Sequence, residues 1–237
     1  MEIFWRLFLA HLIADFTLQT DTVNRLKRKG LPGMCLHVGT HVFISVVLIY
    51  NFLFQNWYKI FGIELNGWFI LFVMSVIHFF IDELRIYLIN KVGLPDNTWN
   101  FLADQFAHFY FIFVLSPINS FKSEIFIEEK WVIIVSCLVI ISHVATIFIY
   151  FVEQDLNKIK FPSFDQKYFM IVERIIMWAF FLTPGYWWIP FFILWVFQLI
   201  YIKARRIIDV SNTNIYISII FSIIFGLISR FFYYGKI

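Results

Sequence analysis

Charge is scarce in this sequence: Asp, Glu, Lys and Arg make up 15% of its 237 residues, whereas soluble domains usually carry about 25%. The net charge of +3 is too small to indicate a nucleic-acid partner, and none is expected. Cysteine is scarcer still. Cys35 and Cys137 both lie in apolar segments, which excludes a disulfide framework and a CxxC metal site. The first apolar run contains His11 and Asp15 and lacks a small-residue cleavage site, so we expect a retained helix rather than a cleaved signal peptide.

Hydrophobic residues, in contrast, make up 61% of the chain and aromatic residues 22%, with a mean hydropathy of +0.77. This composition predicts an all-α, polytopic membrane protein. A transmembrane helix needs about 17–25 apolar residues, and eight segments fit: 3–20, 33–54, 66–89, 99–117, 130–152, 168–183, 187–204 and 213–233. We predict a bundle of about eight spans in a single membrane domain, 1–237, in which a four-helix half (1–118) precedes a C-terminal helical half (119–237).

The positions of Lys and Arg predict how the bundle is oriented, because short cytoplasmic loops carry an excess of these residues. The loops after the odd-numbered spans hold Arg25, Lys27, Arg28, Lys29, Arg85, Lys91, Lys158, Lys160, Lys167, Lys203, Arg205 and Arg206. The remaining loops hold Lys59, Lys122 and Lys130. We therefore expect the first set of loops to face the cytoplasm and both termini to face outward.

Each of the first four predicted spans carries two polar residues four positions apart. The pairs are His11 and Asp15, His37 and His41, His78 and Asp82, and Asp104 and His108. Residues at this spacing lie on the same face of a helix. Given the direction of each span and a rise of about 1.5 Å per residue, all eight fall roughly 6–16 Å below the cytoplasmic end. Ionisable groups at that depth are costly, so we expect them to turn inward and meet.

Five imidazoles and three carboxylates without a thiolate favour Zn, Mn or Fe as the bound metal. Eight ligands exceed the needs of one tetrahedral zinc. Either two ions bind about 3.5–4 Å apart, or some of the eight groups orient the true ligands. Gln19 and Gln105 are candidates for outer contacts or substrate binding. Glu173 and Arg174 in the sixth span either bind substrate or pair with Lys203 or Arg206 in a structural network.

A divalent metal at this depth can polarise an ester or phosphoester bond and acidify a bound water. Asp15 or Asp104 could then act as general base, and the basic residues 25–29 could hold an anionic lipid headgroup. The leading hypothesis is thus a metal-dependent hydrolase acting on a lipid or phosphoester.

Two alternatives are a metal-ion or proton transporter and a non-catalytic membrane module held together by a polar or metal cluster. A transport path needs polar groups through the full membrane thickness. The outer halves of the spans offer mainly serines, which favours a site over a path.

Four segments in this order, "HLIADFTLQTD", "LHVGTHVF", "VIHFFIDELR" and "LADQFAHF", resemble the signature of a family of bacterial multi-pass membrane proteins known only as a domain of unknown function. That signature reads HLLADF-LQ, H-x3-H, H-x3-D and DQ-x2-H, and the likeness covers roughly residues 4–115. The later segments "VERIIMWAFF" and "IYIKARRIID" resemble the family's C-terminal ER and K-x2-R elements. The resemblance implies a location in the bacterial inner membrane and supplies no activity.

Overall fold

Helices make up 79% of the protein in the computed structural model, which describes residues 1–118, 127–157, 164–207 and 210–236. This confirms the predicted helical class. Three described helices are long and apolar enough to cross a membrane, namely Leu31–Phe52, Glu129–Leu156 and Asn212–Tyr234, and the shorter Trp188–Ala204 is also apolar. These helices indicate a membrane protein. The loop residues Lys122, Lys158 and Lys160 lie outside the described residues.

The chain divides into two compact units, Met1–Val132 and Ile133–Ile237. The first contains α1 (Glu2–Leu12) with a π-helical turn (Ile13–Thr17), α2 (Asp21–Lys27), α3 (Leu31–Ile49), β1 (Asn56–Ile60), β2 (Ile63–Asn66), α4 (Gly67–Tyr87) with a π-helical turn (Leu88–Val92), and α5 (Thr98–Leu115). Helix α6 (Glu129–Val139) begins in the first unit and continues into the second, followed by a π-helical turn (Ile140–Val144), α7 (Ala145–Asn157), α8 (Phe164–Phe180), α9 (Trp188–Ala204) and α10 (Asn212–Tyr234).

Polar side chains fix where several helices of the first unit begin. Thr20, Asn66 and Asn97 each accept a hydrogen bond from the backbone N–H three residues further on, at the starts of α2, α4 and α5. Such caps satisfy donors that the first helical turn leaves without partners. They set the register of the two helices that carry His78 and Asp104.

The four long helices of the first unit pack in a ring, in which α1 and α4 each contact both α3 and α5. The hydrophobic core lies at the end of the ring nearest the strands and consists of Ile3, Leu7, Ile49, Phe52, Leu53, Trp57, Ile70 and Leu71. These residues come from the start of α1 and α4 and from the end of α3 and beyond. The C-terminal parts of α1 and α4 and the N-terminal parts of α3 and α5 therefore meet at the other end.

Strands β1 and β2 form an antiparallel hairpin between α3 and α4, in a stretch that the sequence had indicated only as a loop. Ile60 pairs with Ile63 across a two-residue turn. Both turn residues, Phe61 and Gly62, have positive φ angles of 49° and 82°. This is the sign required by the type I′ turn that suits the twist of a hairpin.

In the second unit, α10 packs closely against α8 and the residues that follow it. A Cβ atom at Gly226 would lie 2.3 Å from the ring of Phe181, so only glycine fits this contact. Arg230 donates hydrogen bonds to the carbonyls of Phe181, Thr183 and Gly185, which satisfies acceptors just beyond the end of α8.

Candidate metal centre

All eight polar residues of the four predicted pairs are buried at the end of the first unit opposite its hydrophobic core, and we call them the His/Asp cluster. Each long helix contributes two: His11 and Asp15 from α1 and its π-helical turn, His37 and His41 from α3, His78 and Asp82 from α4, and Asp104 and His108 from α5. No member has more than 9% of its surface exposed. The structure thus brings together every residue that the spacing of four had selected.

The imidazole rings pack against one another. Ring centroids are 3.9 Å apart for His41 and His78, 4.2 Å for His78 and His108, and 4.7 Å for His37 and His41. His11 completes the group, with its ring 5.2 Å from that of His108. His78 lies in the middle and contacts all four other rings.

Two carboxylates lie among the rings. Asp15 Oδ1 is 2.9 Å from His41 Nε2 and 3.2 Å from His37 Nε2. Asp82 Oδ2 is 3.2 Å from Nε2 of both His37 and His78. Asp15 thus faces two imidazole nitrogens of α3, and Asp82 faces one of α3 and one of α4, an arrangement that can either bind an ion jointly or orient the imidazoles.

Two sets of ligand atoms lie close enough to share an ion. Asp15, His37, His41 and His78 form one set, and His78, Asp82 and His108 form the other. Within each set, one ligand atom per residue lies within 4.8 Å of all the others. The nitrogen and carboxylate donors match the coordination preferences of Zn²⁺, Mn²⁺ and Fe²⁺.

Unpartnered ligand atoms support the fit to a cation. Asp82 Oδ2 and His108 Nε2 are buried and have no hydrogen-bond partner among the described atoms. The contacts of Asp82 Oδ2 with imidazole nitrogens are short but lack hydrogen-bond geometry. A buried polar group without a partner costs about 1–3 kcal/mol, and coordination to an ion would remove that cost.

Asp104 lies at the edge of the cluster and belongs to neither set. Its Oδ2 accepts hydrogen bonds from Arg85 Nη1 and Gln105 Nε2, both at 3.0 Å. The amide oxygen of Gln105 lies 3.3 Å from His11 Nε2, so Gln105 links two cluster members. Asp104 Oδ1 is buried and accepts no hydrogen bond from the described residues.

Arg85 also connects the cluster to the loop before α5. Its Nη2 lies 3.0 Å from Asp96 Oδ1, and Arg28 Nη2 lies 3.0 Å from Asp96 Oδ2. Burial raises the pKa of Asp96, but hydrogen bonds and positive charge from the two arginines outweigh it and hold that pKa below its ordinary value. The result is a chain of polar contacts from the surface at Arg28 to the buried Asp104.

Lys27, the last residue of α2, extends into the cluster. Its Nζ lies 2.7 Å from Asp82 Oδ1 and 3.2 Å from His37 Nε2, and 11% of the side chain is exposed. Helix α2 packs closely on α3, and the absence of a side chain at Gly33 allows this contact. A Cβ at Gly33 would lie 2.0 Å from the carbonyl oxygen of Leu26. The ammonium group is thus held against two members of the candidate ligand sets.

The sequence placed Lys27 and Arg85 in cytoplasmic loops as topology signals, and Lys27 also among the basic residues 25–29 that could hold a lipid headgroup, but it did not predict their contacts with the His/Asp cluster. A signal existed for Arg85, which follows His78 by seven positions and Asp82 by three and so shares their helix face. No comparable signal existed for Lys27, because it lies on a separate short helix whose packing the spacing cannot predict.

The remaining candidates lie elsewhere. Gln19 follows the first π-helical turn, and its buried Oε1 accepts no hydrogen bond from the described residues. Glu173 and Arg174 belong to the second unit. Glu173 accepts a hydrogen bond from Trp195 Nε1 at 2.5 Å. Arg174 donates to carbonyls and hydroxyls of the same unit, those of Ile141, Ser142, Thr146 and Ser218. No ion pair links either residue to Lys203 or Arg206 within the described part of the chain.

Two cavities adjoin the cluster. One, of about 50 Å³, is bordered by His11, His41, His78 and His108 and continues between apolar side chains such as Leu71 and Met74. It is large enough for a water molecule. The other, of about 180 Å³, runs between α4 and α5 and is lined mainly by apolar side chains, with Arg85, Asn100 and Asp104 at its polar part.

Comparisons with known proteins give one result. Neither the curated proteins nor the solved structures include a match to this chain. Residues 3–134 match the family described as "Protein of unknown function (DUF3307)". This range covers more than half of the chain and contains the whole His/Asp cluster. The C-terminal segments "VERIIMWAFF" and "IYIKARRIID", which resemble family elements, lie outside the matched range. The chain therefore belongs to the DUF3307 family.

Proposed function

We propose that this protein is an intramembrane metal-dependent hydrolase. Its centre is the His/Asp cluster, which binds one or two divalent ions, Zn²⁺, Mn²⁺ or Fe²⁺, and cleaves an ester or phosphoester bond of a lipid or another anionic molecule. The observation that carries this proposal is the pair of buried ligand sets that share His78. A cluster that served only to join helices would not need five imidazoles around unpartnered carboxylate and imidazole atoms.

We also propose that the chain spans the inner membrane of a bacterium eight times, with both termini outside. The three helices of sufficient length and hydropathy support a membrane location. Helix α2 and the residue after it carry basic side chains beside the His/Asp cluster, and positive charge favours the cytoplasmic side. The cluster would then be reached from the cytoplasm.

In this proposal Asp15, His37 and His41 hold one ion, Asp82 and His108 hold the other, and His78 completes the ligands of either. Dinuclear hydrolases place their ions about 3.5–4 Å apart, and two sets that share a residue are suited to neighbouring ions. Bound ions would polarise the scissile bond and lower the pKa of water at the site.

Asp104 is the general base in this proposal, because it lies outside both sets. Arg85 and Gln105 fix Oδ2, whereas Oδ1 has no hydrogen-bond partner among the described residues. Oδ1 takes a proton from water as the water oxygen bonds to the ester carbon or phosphorus. The proton passes to the leaving alcohol oxygen when its bond breaks. Asp15, the other candidate base, is assigned as a ligand because Oδ1 lies between two imidazoles.

The two cavities suit the metal centre and the substrate in different ways. The cavity of about 50 Å³ borders four of the histidines and is large enough for a water molecule that an ion there would bind. The mainly apolar cavity between α4 and α5 has Asp104 and Arg85 in its lining, which suits a substrate with a hydrocarbon chain and a polar group to be cleaved.

Elemental analysis of detergent-purified protein tests the metal centre. We expect stoichiometric Zn, Mn or Fe in the wild type and its loss in the double variant His37→Ala/His41→Ala. His143→Ala is the matched control, because His143 lies in the second unit and its ring contacts Ser142. A wild-type protein purified without stoichiometric metal, and unable to take it up, would contradict the proposal.

Further measurements separate hydrolysis from the two alternatives. Metal-dependent cleavage of ester or phosphoester lipids by protein that stays folded supports the hydrolase. Metal uptake into sealed vesicles would instead indicate a transporter, although the apolar core at the other end of the first unit argues against a polar path there. Collapse of the fold on chelation, without any cleavage activity when metal is restored, would indicate a structural cluster.

A further inference from the structure

The position of Lys27 goes beyond the proposed hydrolysis and bears on its substrate. A lysine in a connecting segment normally extends into water. Here the side chain is only 11% exposed, and its Nζ contacts both Asp82 Oδ1 and His37 Nε2. Asp82 and His37 belong to different ligand sets, so the ammonium lies where the two sets meet.

The surrounding structure holds Lys27 in this position. Leu26 packs against the helix face of α3 at Gly33, where no side chain would fit. On the other side, Arg28 pairs with Asp96 of the loop before α5. Because both neighbours are anchored, Lys27 is confined to the cytoplasmic side of the cluster even when it leaves Asp82.

Charge balance indicates what Lys27 contacts in the loaded site. Four carboxylates, those of Asp15, Asp82, Asp96 and Asp104, face three protein cations, Lys27, Arg28 and Arg85. One divalent ion would leave this region with one net positive charge, and two ions would leave three. Excess charge away from bulk water is strongly unfavourable unless it is paired. The loaded site therefore needs an anion.

We infer that the substrate is a phosphoester and that Lys27 binds a phosphoryl oxygen of it. This inference rests on the proposed function. A metal ion bound to Asp82 Oδ2 would draw negative charge away from Oδ1 and weaken its pairing with the ammonium, which frees Lys27 for the anion. A compact ammonium is a common phosphate ligand in proteins. An uncharged carboxylic ester would leave the positive charge unbalanced.

Inorganic phosphate is the probe for the first experiment, in which calorimetry measures its binding to metal-loaded wild type and variants. We expect Lys27→Met to weaken phosphate binding by about 10–100-fold, as for loss of a charged hydrogen bond. Lys27→Arg should retain most of it. Lys91→Met is the control. It removes an exposed positive charge from the π-helical turn that follows α4, so it should leave phosphate binding unchanged. If Lys27→Met fails to fold, Lys27→Gln replaces it.

Metal content is measured for every variant, so that the two proposals fail separately. Wild type without metal overturns the hydrolase and this inference together. Full metal content with equal phosphate affinity in wild type and Lys27→Met overturns only the role of Lys27. An equal loss in Lys91→Met overturns it as well, because the effect would then reflect surface charge in general.

Two arms identify where the phosphoryl group comes from. Cleavage of phosphatidic acid in mixed micelles is compared with cleavage of soluble phenyl phosphate, and a neutral diacylglycerol in the same micelles serves as the carboxylic-ester control. Lys27-dependent cleavage of phosphatidic acid supports a lipid source, and that of phenyl phosphate supports a soluble one. Cleavage of the neutral ester alone overturns the inference.

Discussion

His41 and His78 come from different helices, α3 and α4, and their imidazole centroids lie 3.9 Å apart. Both residues belong to one candidate ligand set, and His78 belongs to the second set as well. Because His78 belongs to both sets, we expect its substitution to reduce metal binding more than substitution of a histidine that belongs to one set.

Removing individual histidines should reduce metal content to different degrees. His78→Ala takes a ligand from both sets, so we expect it to lower the affinity for every bound ion. His41→Ala and His108→Ala each affect one set, and at most one ion should be lost. Metal-to-protein ratios after dialysis against a graded series of chelator concentrations measure this. Equal losses in all three variants would contradict two distinct ion positions.

Substitution at Gly33 should detach α2 from α3. The Cβ of alanine would overlap backbone atoms of Leu26, which cannot move aside as a side-chain end can. We expect Gly33→Ala to destabilise the protein by about 1–3 kcal/mol, as other overpacking substitutions do. Gly39→Ala lies on the same helix with no atom near the added Cβ, and it should be neutral or stabilising by up to about 1 kcal/mol. Unfolding of both variants in detergent provides the comparison, and equal stabilities would contradict the contact.

Asp82 and Lys27 should be energetically coupled in metal-free protein. Asp82→Ala leaves the ammonium without its carboxylate partner and should destabilise the fold by about 3 kcal/mol, the lower part of the range for broken buried pairs. Adding Lys27→Met should restore part of this loss, because the unpaired charge is then gone. A double-mutant cycle of unfolding free energies measures the coupling. Strictly additive effects would show that the 2.7 Å contact contributes no stability.

The Asp96 pairs should make stability depend on pH at the acidic end. The folded-state pKa of Asp96 lies below its ordinary value, and the two arginines are the cause that outweighs burial. Its contribution is therefore complete above the unfolded pKa of about 3.9 and is lost as pH falls through the lower folded pKa. Asp96→Asn should thus be less stable than wild type at pH 6, by about 1 kcal/mol or less because the side chains are partly exposed. In thermal unfolding the difference should shrink as pH falls below about 3.9.

The helices and their polar pairs were predictable because both depend on local spacing. Apolar runs between Gly- and Pro-containing breaks predicted eight spans, and each predicted segment overlaps a helix or a helix continued by a π-helical turn. The spacing of four placed His78 and Asp82 on one helix face, and the expected alternation in the direction of successive helices placed the pairs at one level. These are properties of sequence distance alone.

Contacts between separate elements were not predictable in the same way. The position of Lys27 depends on α2 turning back against α3, which depends in turn on the absence of a side chain at Gly33. The π-helical turns and the hairpin at Phe61–Gly62 also escaped detection, since neither has a hydrophobic period of its own. The pairing of Asp104 with Arg85 required knowing that α4 and α5 are neighbours.

The π-helical turn from Ile13 to Thr17 ends the first helix, and its wider winding carries Asp15. Such a turn accommodates a surplus residue without breaking the backbone ladder. The packing of Leu7 in the apolar core is consequently decoupled from the direction in which Asp15 points. Gain or loss of one residue in the turn during evolution would therefore change the direction of the Asp15 carboxylate, while the apolar part of the helix keeps its contacts.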